Sequence, residues 1–205
     1  MKIFHAFIAL LFIAATTHAQ SKNGNVDFNQ IVNKIGMTFS TPKGSVKAAV
    51  VKNKQIAYQY AVKYPDHNLE IRYLVMPSAG KATKAPVASP GNKSASQIND
   101  PFDMFCMDLA TKAGGGIKDP QIQVAGFDPA QGKKEFGADK VTFWMIPVKN
   151  NSFGTEYKFC NMVAMHKENG ANAFVFYLAN SLQDITKAFG EIGPRNVYYN
   201  LKYKP

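Results

Sequence analysis

Two histidines follow Ala19, His67 and His166, and each has an acid close by, Asp66 before the first and Glu168 after the second. An imidazole beside a carboxylate can move a proton in acid–base chemistry or enter a metal shell. Both also fall next to predicted hairpin turns, where solvated histidines are ordinary, and a metal site needs three or four converging ligands. Tyr58, Tyr60, Tyr64 and Tyr73 alternate along one face of a predicted hairpin. Such rings can stack on a sugar or hold a cation. They can equally be half of a core, because Ile56, Val62, Ile71 and Val75 share that face. Cys106 and Cys160 are the only cysteines. In an oxidising compartment they can form a disulfide, or they can serve as two small buried hydrophobes.

The familiar signatures of catalysis are missing from the sequence: G-x-S-x-G, H-E-x-x-H, C-x-x-C, the phosphate loop and the dinucleotide fingerprint. The acids are scattered. No catalytic residue, metal set or cofactor is therefore assigned. The ligand-binding candidates are Asp66, His67, His166, Tyr58, Tyr60 and Tyr73, with Cys106 and Cys160 as the candidate disulfide.

The chain opens Met1-Lys2, then runs apolar from Ile3 to Ala15 with only His5 intervening, and reaches Thr16-Thr17-His18-Ala19. A basic start, a short apolar core and a small residue at the cut describe a secretory signal peptide. The run is short for a membrane span. Cleavage after Ala19 is expected, with export to a periplasm or the medium. Removing 19 of the 205 residues leaves 186, the size of one ordinary domain. Losing Lys2 takes the formal charge from +10 to +9. The cations are spread out and no nucleic-acid motif occurs, so nucleic acid is not expected as a partner. An anionic envelope polymer or a protein is, with the chain a monomer or weak dimer.

The strongest patterning lies at Gln55–Pro77. Ile56, Tyr58, Tyr60, Val62 and Tyr64 alternate with smaller or polar residues, and Leu69, Ile71, Tyr73 and Val75 do the same. Pro65-Asp66-His67-Asn68 supplies the turn. Pairing Tyr64 with Leu69 sets Val62 against Ile71, Tyr60 against Tyr73 and Tyr58 against Val75, and on the other face Lys63 against Glu70.

Elsewhere, helices are predicted over Val26–Ile35, from Asp100 to Gly114 and from Ser181 to Ile192, each with capping residues or an apolar stripe. Strands are predicted at Met37–Thr41, Val46–Val51, Gln121–Ala125 and Val141–Val148. A hairpin follows, Tyr157–His166 with Asn172–Ala179, turned at Asn169-Gly170 so that Met165 meets Phe174. Residues 78–99, rich in Ala, Ser, Pro, Gly and Lys, are expected to form a mobile loop. Asp128–Lys134 reads as a loop, and the tail from Asn196 has no assigned structure. Asn92-Lys93-Ser94 and Asn150-Asn151-Ser152 are glycosylation sequons.

The series resembles the PsbP-like family. It is carried by Met37–Gly44 with its Pro-Lys-Gly turn, by Glu70-Ile71-Arg72-Tyr73, by Phe136-Gly137-Ala138-Asp139, by the Asn169-Gly170 hairpin and by the helix from Ser181. The resemblance covers nearly the whole mature chain and is similar above all to small secreted bacterial members. It implies an α+β fold, a mainly antiparallel sheet with helices on both faces (an α/β/α sandwich). No binding residue carries over from it. Together these features describe an exported, non-enzymatic binding or accessory protein. The rival is a secreted hydrolase worked from His67 or His166, which requires each histidine to meet an acid or nucleophile in one pocket.

Overall fold

A computed structural model describes residues 27–53, 55–77, 91–93, 100–116 and 121–205. The expected signal peptide lies outside the described residues, as does most of the expected loop at 78–99. Among the described residues no helix is long and apolar enough to cross a membrane.

The chain is an α+β protein built on one eight-stranded antiparallel sheet. In chain order its strands are β2 (Val46–Lys47), β3 (Tyr60–Tyr64), β4 (Leu69–Met76), β5 (Gly91–Lys93), β6 (Gln123–Gly126), β7 (Lys140–Pro147), β8 (Phe159–His166) and β9 (Asn172–Ala179). Their spatial order is β2-β3-β4-β9-β8-β7-β6-β5. A separate ribbon pairs β1 (Met37–Phe39) with β10 (Leu201–Tyr203).

Both faces of the sheet are covered, and each cover follows from a stripe of apolar residues. On one face lie α1 (Phe28–Lys34), α3 (Pro129–Phe136), α4 (Leu182–Ile192), the short α5 (Pro194–Val197) and the ribbon, packed over Val62, Ile71, Tyr73, Val163, Val175 and Tyr177. On the other lies α2 (Pro101–Gly114), whose Phe102, Cys106, Leu109, Ala110 and Ala113 pack over Trp144, Ile146, Met162, Phe174 and Phe176. This is the layering expected of an α/β/α sandwich.

The register Tyr64–Leu69, Lys63–Glu70, Val62–Ile71 and Tyr60–Tyr73 is the predicted one. Its N-terminal extension differs. Gln59 is the last residue whose backbone joins β4, donating to Tyr73 O at 2.9 Å. Its side-chain amide then takes both ladder groups of Val75. Tyr58 is thereby turned to the α2 face, leaving Tyr60, Tyr64 and Tyr73 on the other. β2 is also shorter than predicted. Beyond Ala48, which donates to Ala61 O, the chain leaves the ladder, and Val51 N–H instead reaches the Tyr58 hydroxyl oxygen at 2.7 Å.

Three further corrections have physical causes. Asp128–Lys134 is not a loop: Asp128 caps α3 by accepting from Gln131 N, Pro129 opens the helix, and Gly137 closes it in the left-handed region. A side chain at Gly137 would also strike Tyr203 O, 2.9 Å from the Cβ position. The β8–β9 hairpin is shifted by one residue, with His166 opposite Asn172 and Met165 opposite Ala173. Asn169 alone is left-handed there and Gly170 N bonds Lys167 O, so the loop spans residues 167–171 and is not a two-residue turn. Within the expected mobile loop, Gly91–Lys93 pairs with β6 as the far edge of the sheet.

Candidate functional site

A cleft of about 610 Å³ lies where β3 and β4 meet the loop between β7 and β8. Lys63, Glu70 and Arg72 line its floor; Asn151, Thr155, Glu156 and Tyr157 form one lip, and Asn68, Asn180 and Val51 complete the wall. Glu70 and Arg72 occupy alternate positions of β4, so both project to the α2 face, where they are 3% and 1% exposed.

Buried charges survive only when paired and hydrogen-bonded, and these are. Arg72 Nε donates to Glu70 Oε1 at 2.7 Å, and Lys63 Nζ reaches Glu70 Oε2 at 3.1 Å. The two terminal nitrogens of Arg72 donate to the carbonyls of Phe153 and Gly154. The guanidinium also lies against the rings of Tyr58 and Phe153, which meet edge to face, each centroid 4.7 Å from its carbon. A planar fork with five donors suits this position in a way that an ammonium does not.

The lip that Arg72 grips is backbone in an unfavourable conformation. Asn150, Asn151 and Phe153 all have φ between 50° and 59°, and Gly154 follows at 60°. Asparagine tolerates the left-handed region, but an aromatic residue there is strained. Phe153 is held by its surroundings: its ring is wholly buried against Tyr58 and Phe176, and Ser152 Oγ fastens the loop to Ala113 O at 2.6 Å. Strain held in place by a buried network is characteristic of sites that must keep one geometry. Burial pushes the Tyr157 phenol up, helped by the Glu70 carboxylate and opposed by Lys63 and Arg72. It therefore stands protonated at the cleft mouth.

His67 lines a smaller adjoining hollow of about 260 Å³, together with Asp66, Asp184, Lys187 and Glu191, and shares Asn68 and Asn180 with the cleft. Its Nδ1 lies 3.1 Å from Glu191 Oε2, so its acidic partner comes from α4 and not from Asp66. His166 sits at the opposite end of the sheet. The β4–β9 register runs from Glu70 opposite Leu178, near His67, to Met76 opposite Asn172, which faces His166. Six residues of strand separate those rungs by about 20 Å. His166 Nδ1 is 2.7 Å from Asn172 Oδ1 and its ring lies 5.1 Å from Phe102, while Glu168 bonds Asp139 through its backbone. The two histidines do not share a pocket: His67 meets the Glu191 carboxylate, whereas the hydrogen-bond partner of His166 is the Asn172 amide.

The tyrosines do not form an open platform: Tyr60 is half-buried beneath Lys47 and the others are buried. Tyr73 is 1% exposed and packs with Phe28, Phe39 and Tyr60, and Tyr58 is buried on the other face. Cys106 and Cys160 are both free and buried in the α2-side core, so the fold uses them as small hydrophobes. A second buried charge cluster has Lys140 Nζ 2.5 Å from Asp100 Oδ2 and 2.7 Å from Asp103 Oδ1. Asp100 caps α2 as well, accepting from Phe102 N at 2.7 Å, so this cluster fixes the helix on β7.

Of the cleft residues, sequence reasoning found only the Lys63–Glu70 pair, as a strand register. Arg72 was missed. The usable signal was the continuous apolar character of Leu74, Val75 and Met76 beside Tyr73, which marks a strand covered on both faces and makes an arginine within it anomalous. Comparison of the chain with protein-family models, with curated proteins and with solved structures finds no match.

Proposed function

We propose that the protein is an exported binding or accessory protein of the cell envelope that acts without catalysis, holding a polar ligand in the Arg72 cleft. The observation that carries this reading is the engagement of the cleft's buried charges. Both carboxylate oxygens of Glu70 face cations, and Arg72 is committed to Glu70 and the lip, so neither is left free for proton transfer. What the cleft offers a ligand is the amides of Asn68, Asn151 and Asn180, the Tyr157 hydroxyl, the Glu156 carboxylate and the half-exposed Lys63 ammonium. Amides paired with a protonated phenol both donate and accept, which suits a hydroxyl-rich envelope polymer. The α/β/α layering agrees with the PsbP-like resemblance, and the N-terminal pattern Met1–Ala19 supports export.

The test has two parts. N-terminal sequencing of protein secreted from a bacterial host should begin at Gln20. Titration with soluble peptidoglycan fragments and teichoic acid should raise the melting temperature, and Asn180→Ala with Tyr157→Phe should remove the rise. Turnover of ester, peptide or glycoside substrates by the purified protein would sink the reading.

The His67–Glu191 contact supports a second reading, a hydrolase that activates water at His67. No hydroxyl or thiol side chain lines that hollow, so the nucleophile must be water. Substrate turnover lost in His67→Ala and in Glu191→Gln would establish it.

A further inference from the structure

β2 is the outer edge of the eight-stranded sheet, and its surroundings are unusual for an edge. Val46, Val50 and Val51 are 52%, 46% and 42% exposed; the other exposed large hydrophobics, Met104 and Leu182, stand singly elsewhere. A very short strand and lysines are ordinary means of blunting an edge, and β2 has both; what is unusual is that β2 and the segment after it also present three β-branched side chains to solvent. From Pro42 to Tyr64 the sequence carries Lys43, Lys47, Lys52, Lys54 and Lys63 and not one acid. Lys63 is tied to Glu70, but Lys43, Lys47 and Lys52 have no acidic partner among the described residues.

The backbone is free along the same line. Ala48 N–H donates to Ala61 O, so Ala48 turns its polar groups inward. The antiparallel alternation turns those of Lys47, opposite Val62, outward, while Ala49, beyond the last rung, makes no backbone bond to β3. The segment is nevertheless rigidly placed: Val51 N–H is bound by the Tyr58 hydroxyl, whose ring packs on Arg72, and Asn53 accepts from Gln55 N and Ile56 N.

We propose that residues 46–51 dock an extended, acidic segment of a partner protein, which adds to the sheet as a further antiparallel or parallel strand beside β2. The outward N–H and C=O of Lys47 and the unbonded amide of Ala49 give the main-chain pairing, the exposed valines give side-chain contact, and the lysines without acidic partners select acidic residues. A second copy of this chain fits poorly, because pairing two β2 edges sets lysines against lysines. A membrane or a glycan leaves the outward backbone groups without a strand to pair with. The surface adjoins the cleft through Val51 and is independent of what the cleft binds.

The test uses the mature protein and a short blocked peptide alternating glutamate with threonine, with the lysine–threonine peptide as control. The acidic peptide should bind, lose affinity as salt rises, and protect the Lys47 and Ala49 amides from hydrogen exchange. Lys47→Pro and Ala49→Pro each remove an N–H that β3 does not use, so both should fold with unchanged melting temperature and weaken binding by at least about tenfold. Lys47→Glu should weaken it without touching the backbone. Equal binding of the lysine peptide overturns the proposal, as does binding that survives both proline variants. Binding of dextran sulfate or anionic vesicles without binding of the peptide does so too.

Discussion

Gln59 acts as a strand residue through its side chain: its amide donates to Val75 O and accepts from Val75 N, both at 2.9 Å. The neighbouring Tyr58 is thereby freed from the ladder and delivered to the opposite face, where its ring covers Arg72 and its hydroxyl holds Val51. One glutamine thus couples the end of the β3–β4 hairpin to the cleft and to the sheet edge.

Replacing Gln59 with leucine keeps the volume but strands both polar groups of Val75 in a buried strand. Each such group costs about 1–3 kcal/mol when unsatisfied, so Gln59→Leu should destabilise the protein by about 2–4 kcal/mol in urea denaturation. Tyr58→Phe, which loses only one acceptor at a half-buried site, should cost about 1 kcal/mol. A Gln59→Leu loss no larger than that of Tyr58→Phe would show that water replaces the amide.

The hairpin itself was legible because two independent faces agreed, an aromatic one and a Lys63–Glu70 one, and only one register satisfies both. What stayed hidden was long-range. Period-two alternation in Glu70, Arg72 and Leu74 looks like a solvent face when the strand is read alone. It is buried because α2 and the 148–157 loop, distant in sequence, close over it. The helix α3 escaped notice because its interior, Gln131-Gly132-Lys133-Lys134-Glu135, has no apolar stripe; only the Asp128-Pro129 start and the Gly137 stop signal it. The Asn169-Gly170 pair misled by one residue because the dipeptide is compatible with more than one loop length, and the rungs of β8 and β9 are apolar on both faces in either register.

Arg72 and Glu70 form a buried pair, and removing one partner of such a pair leaves an uncompensated charge. Glu70→Ala or Arg72→Ala should each cost about 3–5 kcal/mol. Arg72→Lys should also be costly, since a point charge cannot hold Glu70, two carbonyls and two rings at once. Glu70→Leu combined with Arg72→Met should be more stable than either single change, because a well-packed apolar pair avoids the desolvation penalty. The combined variant should still unfold cooperatively but lose ligand stabilisation, as the 148–157 lip loses its grip. A double-variant cycle with additive losses would contradict this account.

Alkaline pH should unfold the protein through its tyrosines. Burial pushes Tyr73 and Tyr177 well above the ordinary phenol range, and Tyr198 and Tyr199 are pushed up to about 12, mainly by loss of solvent. Between pH 10 and 12 the unfolded chain gives up these protons while the folded chain keeps them. A raised folded pKa means stability that is complete below about pH 10 and is lost as the pH climbs through the folded values. The melting temperature should therefore be flat in the alkaline range up to about pH 10 and fall steeply above it. Absorbance at the phenolate band should show a late group of tyrosines titrating together with unfolding. Titration of all nine tyrosines as one group near pH 10, with no loss of structure, would count against the packing described.

Cys106 and Cys160 supply the last prediction. Both are fully buried on the α2 side of the sheet, and burial pushes both thiols up, Cys106 further through the nearby Asp103 carboxylate. The thiolate is the reactive species, so two effects, little thiolate and no access, act in the same direction. The native protein should be inert to a thiol-exchange reagent such as DTNB at pH 8, and both thiols should react at once in guanidinium. Native labelling should proceed only at the rate of global opening, and Gln59→Leu, which lowers stability without touching either cysteine, should speed it in proportion. Protein purified from an oxidising compartment should release two thiol equivalents on denaturation without reductant. Release of none would mean that the cysteines had paired, which would require α2 and β8 to rearrange.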